Sequence, residues 1–240
     1  MIVCIDSGNT RIKWGVRDAN AWLAQGALTH AEVAGLGSLL SAWAPTSVWL
    51  SNVAGPHALV GIQQALMPWQ ALIREVKASA SGQGVHNGYE NPSQLGVDRW
   101  CALIGARSIS NAACLVVMAG TATTIDTLDA GGRFRGGLIL PGLDLMRRAL
   151  ARDTAALPLA SGDHEAYPRN TDDAIISGCL EAQLGAIERA FMRIAGAPDS
   201  LCLLSGGAAQ MLAPQLNIPH WLIDNLVLEG LARQAEPQDG

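Results

Sequence analysis

Three stretches of this 240-residue chain set small polar residues directly after apolar runs. In the first, Ile2-Val3-Cys4-Ile5 breaks at Asp6-Ser7-Gly8-Asn9-Thr10 before Arg11-Ile12-Lys13 resumes an alternating pattern. A buried strand ending in a tight turn suits phosphate. Gly8 lets backbone amides approach an anion, Asn9 and Thr10 add neutral donors, and Asp6 at the strand end can hold Mg²⁺, usually through water. The same letters also spell an ordinary hairpin, because D-x-G-N is common turn vocabulary. The second stretch is Ala119-Gly120-Thr121-Ala122 after Cys114 to Met118, and the third is Ser205-Gly206-Gly207 after Leu201 to Leu204. Gly206 and Gly207 free the backbone to approach a nucleotide, and turn geometry alone explains them as well. Transfer of a phosphoryl group to a hydroxyl needs such a cradle, a cation to offset charge, and a carboxylate to receive or orient the hydroxyl proton. Asp98 suits the last task, with Arg99 beside it suited to a carboxylate on the acceptor. A solvent-facing ion pair on a helix is the plainer reading of that pair.

These residues need a large scaffold, and the composition supplies one. Apolar residues make up 49% of the chain and charged residues 15%, with a formal net charge of -5. That balance supports a sizeable core in one large or two small domains, and it offers no basic footprint for nucleic acid. No apolar run approaches the roughly 18 residues of a membrane span, and the N-terminus lacks a basic stretch followed by an apolar one, so a cytoplasmic protein without membrane partners is expected. Cys4, Cys101, Cys114, Cys179 and Cys202 stand singly among apolar neighbours and read as reduced core residues.

The elements that must position the turns follow from period and punctuation. After the opening hairpin, Ala21 to Leu28 reads as a third strand, Ala31 to Trp43 as an amphipathic helix stopped by Pro45, Ser47 to Ser51 as a strand, and Gly55-Pro56 as the start of a helix to Met67. Ala78 to Asn91 has loop composition, and a buried helix runs from the Asp98 region to Ser108. The second half then begins as the first did, with strand, glycine turn and strand. Superposing Gly8 on Gly120 sets Asp6 over Met118 and suggests two related halves, residues 1–110 and 111–240, facing a shared cleft. A hairpin at Asp129 to Gly132, a return strand to Leu140 and a helix through Leu150 follow. A long helix capped by Asn170 or Thr171 carries an apolar stripe from Ile175 to Ile194, with Gly196 as its stop. After Leu201 to Leu204 and the Gly206-Gly207 turn comes a helix, then a terminal helix from Asn225 to Ala232 and a frayed tail, Gln234 to Gly240.

Six segments together carry a family resemblance: DSGNTRIK at Asp6 to Lys13, GYENPSQLGVDR at Gly88 to Arg99, GTATTID at Gly120 to Asp126, GGLILPGLDLMRRAL at Gly136 to Leu150, NTDDAIISG at Asn170 to Gly178, and LSGGAA at Leu204 to Ala209. In this order and spacing the chain resembles the type III pantothenate kinases, members of the superfamily of acetate and sugar kinases, heat-shock ATPases and actin. The resemblance implies an α/β fold of two duplicated ribonuclease-H-like halves, mixed β-sheets with flanking helices around an ATP cleft. It implies ATP-dependent phosphorylation of the primary hydroxyl of pantothenate, the first step towards coenzyme A. Residues Asp6, Ser7, Gly8, Asn9, Thr10, Arg11, Ile12 and Lys13 would line the phosphate site, and Thr121 is similar to a family ATP contact. Tyr89, Gly96, Val97, Asp98 and Arg99 match the pantothenate site, with Asp98 in the proton acceptor's position. Thr171 resembles a residue that reaches pantothenate across a homodimer interface.

One position departs from the family. Its members commonly carry, two residues before the glycine of the GTATT segment, an Asp that coordinates K⁺ or NH₄⁺; here that residue is Met118. A thioether is a poor ligand for a hard cation, so Met118 calls activation by K⁺ or NH₄⁺ into question, and Asp126 is the candidate to replace the lost charge. Met118 also motivates an alternative, a kinase-like regulatory or accessory protein that binds nucleotide without efficient catalysis. A sugar or acetate kinase fits the glycine turns but leaves the Tyr89 to Arg99 segment unexplained.

Overall fold

A computed structural model describes residues 1–236 and divides them into two compact units. The first holds Met1 to Asn111, the short stretch Gly132 to Phe134, and the chain from Asn225 on; the second holds Ala112 to Gly131 and Arg135 to Asp224.

In the first unit, β1 (Ile2–Ser7), β2 (Ile12–Asp18) and β3 (Ala21–Leu28) form a meander, followed by a short 3₁₀ turn at His30–Gly35 and the one-turn helix α1 (Leu36–Leu40). The helix expected over Ala31 to Trp43 is therefore divided between a 3₁₀ turn and one α-helical turn, with a capping box between Thr29 and Glu32 at its start. Next come β4 (Ser47–Asn52), α2 (Pro56–Ala65) and β5 (Ile73–Glu75), a strand that three residues could not announce by periodicity. Helix α2 stops short of Met67 because Pro68 cannot continue it, and a 3₁₀ turn over Met67–Leu72 takes its place. The sheet order is β3-β2-β1-β4-β5, with β1 antiparallel to β2 and parallel to β4. Val3, Ile5, Ile12, Trp14 and Val16 point to one face and pack against Leu36, Leu40, Ile62 and Leu66. Within the segment expected to be a loop, β6 (Ser81–Gly82) and β7 (Val85–His86) pair as a small hairpin ahead of α3 (Val97–Ile109).

The second unit repeats the plan. Strands β8 (Cys114–Ala119), β9 (Ala122–Leu128), β10 (Phe134–Pro141), β11 (Leu201–Ser205) and β12 (His220–Leu222) lie in the order β10-β9-β8-β11-β12. Again the central strand is antiparallel to the next and parallel to the fourth. Helix α4 (Leu143–Asp153) follows β10, and α5 (Thr171–Phe191) lays Ile175, Cys179, Leu184 and Ile187 against Leu115, Val117 and Ile125. Asn170 caps α5 by accepting the Asp173 N–H at 2.9 Å, and the helix ends at Phe191, before the expected stop at Gly196. The helix after the Gly206-Gly207 turn, α6 (Ala209–Leu212), is one turn long.

The last helix, α7 (Leu226–Gln234), belongs to the first unit. It crosses α3 at a close approach made by two glycines: a Cβ on Gly230 would overlap the Cys101 carbonyl, and one on Gly105 the Leu226 carbonyl. Glu229 secures it to the sheet, accepting from Arg17 on β2 at 2.7 Å and from the Trp22 indole on β3 at 2.5 Å. The tail expected over Gln234 to Gly240 lies outside the described residues beyond Glu236.

Candidate active site

Asp6 sits at the C-terminal end of the central strand, opposite Lys13 on β2 and Ser51 on β4. Asp6 and Ser51 are both buried, and the Ser51 hydroxyl donates to Asp6 Oδ1 at 3.2 Å. Burial above all, and then the nearby Asp98 charge, raise the Asp6 carboxyl, Lys13 and the Ser51 hydrogen bond pull it back, and the balance leaves it at about 6. Two carboxylates 92 positions apart in sequence therefore share one electrostatic neighbourhood. The turn beyond Asp6 is closed by the Gly8 N–H donating to Arg11 O at 3.1 Å, while His30 Nε2 donates to Gly8 O at 2.8 Å. Asn9, Thr10 and Arg11 are exposed on it. The Ile12 side chain is fully buried in the core and Ser7 likewise, so any approach of phosphate to these two is through their backbone.

Asp98 is in the first turn of α3, after its N-cap Gly96, and is half-buried. Its Oδ1 accepts the Arg99 N–H at 2.8 Å, a local bond that fixes the carboxylate at the helix entrance. Val97 begins the helix, and the preceding turn is set by Asn91, which accepts from Ser93 N–H at 3.1 Å. Arg99 is buried and turns its guanidinium to Tyr89, donating from Nη1 to the phenolic oxygen at 3.1 Å. Asn87 anchors that loop by accepting the Tyr89 N–H at 3.1 Å and donating to Ser79 O and Pro92 O.

In the second unit the Gly120 N–H donates to Ala122 O at 3.1 Å, and exposed Thr121 accepts the Gly142 N–H through its own carbonyl at 2.9 Å. Gly206 has φ +105°, and a Cβ there would strike the backbone of Ala119, so this turn admits glycine alone. The Ala208 N–H donates to Ala119 O at 3.0 Å, tying the second and third turns together, and Gly207 faces open space. The two halves correspond strand by strand. Asp6 is paired with Ser51 on the neighbouring parallel strand, and Met118 is paired with Ser205 in the same way. Met118 thus stands where the first unit has its acid. Asp126 is fully buried on β9, opposite Val116, on the sheet face that also carries Met118. Thr171 is the first residue of α5, exposed at the edge of an apolar groove of about 880 Å³ lined by Pro141, Leu145, Leu150 and Ala174.

Three residues near these groups gave no sequence signal: Ser51, His30 and Phe134. Each reaches its place through pairing or packing rather than through a local motif. Phe134 packs its ring on Tyr89 at 5.1 Å between centroids.

Among the described residues no three His, Cys, Asp or Glu side chains form a metal-holding group. The Asp6 carboxylate nevertheless fits Mg²⁺, which takes one or two carboxylates and fills its other positions with phosphate oxygens and water. Its charge would also relieve the repulsion that raises the Asp6 carboxyl.

Two mixed five-stranded sheets of identical order, each with a glycine turn at the end of its central strand, define a duplicated α/β fold. Solved structures share this fold. A Sinorhizobium meliloti protein named as a 2-dehydro-3-deoxygalactonokinase superposes with a TM-score of 0.61 at 16% identity, covering 98% of both chains. A Campylobacter jejuni protein named for the Baf family of transcriptional activators does so with 0.62 at 20%, covering 96% of both. Sequence narrows the class. The model of the type III pantothenate kinase family matches residues 2–193. The type III pantothenate kinase of Dechloromonas aromatica is 56% identical over 236 residues, 98% of this chain and 99% of that one. That of Aromatoleum aromaticum is 58% identical over 233 residues, 97% and 96% of the two chains. The chain belongs to the type III pantothenate kinase family.

Proposed function

We propose that this protein transfers the γ-phosphoryl group of ATP to the primary hydroxyl of pantothenate, giving 4′-phosphopantothenate and ADP, the first step of coenzyme A synthesis. The observation that carries the reading is the placement of Asp98 at the entrance of α3, beside the Arg99–Tyr89 pair, in a chain whose full-length relatives at 56% and 58% identity are named for this activity. Asp98 receives the proton of the attacking hydroxyl as the new P–O bond forms and the bond to ADP breaks, and it later returns that proton to water. Arg99 and Tyr89 hold the pantothenate carboxylate, with Gly96 and Val97 shaping the helix entrance around the acceptor. The amides of the Gly8 turn, with Asn9, Thr10, Arg11 and Lys13, receive the phosphates, and Thr121 and the Gly206-Gly207 turn take the rest of the nucleotide. Mg²⁺ held by Asp6 and the phosphates would offset their charge.

The same reading takes two domains divided near residue 110, with the chain from Asn225 returning to the first, a cytoplasmic location, and a homodimer in which Thr171 reaches pantothenate bound to the partner copy. The apolar groove beside Thr171 supports the last point, since an exposed surface of that kind favours burial against a second copy. Met118 leaves no carboxylate for a monovalent ion at its position, and Asp126 is the candidate to supply one. A coupled assay with purified protein, pantothenate and Mg-ATP tests the activity. Formation of ADP that depends on pantothenate is expected, and no product above background, with or without K⁺ or NH₄⁺, refutes it.

A further inference from the structure

Phe134 is fully buried at the start of β10, in the short stretch that belongs to the first unit. Its ring is tilted by 50° to that of Tyr89 at 5.1 Å, and the Arg99 Cζ lies 5.7 Å from the centroid of each ring. Arg99 also donates to the Tyr89 hydroxyl at 3.1 Å. Three side chains from three separate segments thus form one cluster. The backbone holds it in register: the His86 N–H donates to Gly132 O at 2.8 Å, and His86 and Arg133 form an isolated bridge. This ties the stretch ending at Phe134 to the loop that carries Tyr89.

A buried guanidinium needs partners, yet one meant to meet a ligand must keep N–H groups for it. Aromatic faces resolve that conflict. A ring attracts the cation through its quadrupole without itself taking up a strong N–H hydrogen bond, so it helps to aim the fork at no cost in donors. Phe adds no polar atom that would compete. An aliphatic side chain of similar size would fill the space without that attraction.

We propose that Phe134 is a positioning residue for the substrate site, fixing the Arg99 guanidinium and the Tyr89 ring in the orientation that receives the carboxylate of the acceptor. This rests on the assignment of Arg99 and Tyr89 to pantothenate. The competing role, a core residue and nothing more, predicts a loss of stability without selectivity between substrates.

The test is Phe134→Leu in the full-length protein, with pantothenate affinity read as KM and by calorimetry in the presence of a non-hydrolysable ATP analogue. Expected is a roughly five-fold rise in the pantothenate KM and Kd, in line with the loss of one cation–π contact, with the ATP KM within about two-fold of wild type. In an Arg99→Gln background the same change should add less than about two-fold, because Phe134 acts through Arg99. Should Phe134→Leu fail to fold, Phe134→Met repeats the test with a longer apolar chain. Pantothenate affinity equal to wild type, a parallel rise in both KM values, or an equal penalty in the Arg99→Gln background overturns the role of Phe134 while leaving the activity standing. A wild-type protein that neither binds nor phosphorylates pantothenate overturns the activity reading and this role with it.

Discussion

Replacing Asp6 with Asn should make the protein more stable and nearly inactive. Folding carries this carboxyl from its ordinary value of 3.8 to about 6, because burial and the Asp98 charge outweigh Lys13 and Ser51. Between those values the folded chain binds more protons than the unfolded one, so stability falls as pH rises from about 4 to about 6 and stays lower above. A displacement of about two units corresponds to ~3 kcal/mol at pH 7.5 and roughly half of that at pH 5. Asn keeps the shape and can still accept from Ser51 Oγ, so the variant escapes the electrostatic cost with little repacking. In a chain of this size ~2–3 kcal/mol moves the unfolding midpoint by about 4–12 °C. Thermal or urea unfolding without nucleotide or Mg²⁺, at pH 7.5 and again at pH 5, measures it. The gain should shrink at pH 5, and kcat/KM should drop about 10²-fold or more. An Asp6→Asn midpoint at or below wild type at pH 7.5, or a gain that ignores pH, refutes the electrostatic reasoning.

Asp98→Asn should lower kcat by ~10²–10⁴ with the ATP KM little changed, read in the coupled assay. By removing the charge that raises Asp6, it should also give a smaller gain in stability at pH 7.5, measured by the same unfolding experiment. Gly230→Ala should cost about 1–3 kcal/mol in urea unfolding, since the new methyl meets the Cys101 carbonyl at the α3–α7 crossing and neither backbone can yield cheaply. With Met118 in place of an acid, initial rates should differ by less than about two-fold between Na⁺ and K⁺ buffers of equal ionic strength. A strong K⁺ dependence would show that other oxygens, Asp126 among them, complete a site.

Local chemistry made much of this protein legible without coordinates. Apolar runs that break at Asp6, Gly120 and Gly206 announce strands and turns because glycine and short polar residues act within a few positions of themselves. The recurrence of that pattern at Gly8 and Gly120 announces the duplicated plan, now visible as two sheets of the same strand order. The Asp98-Arg99 pair was legible as chemistry, but its geometry was not. A solvent-facing ion pair would have satisfied the same letters, whereas Arg99 is buried against Tyr89 and Phe134.

What the tertiary structure decided depends on pairings between distant residues, which no periodicity encodes. The parallel register of β1 with β4 sets Ser51 beside Asp6, and the docking of α3 brings Asp98 close enough to raise its carboxyl. The bridge between His86 and Arg133 carries Phe134 to Tyr89, and Gly105 and Gly230 let α7 join the first unit although it follows the whole of the second in sequence. Periodicity reports which face of an element is apolar, and turn residues report where it stops. Which partner then covers that face is settled by complementary shape and by the hydrogen bonds left to satisfy, and those exist only once the whole chain has folded.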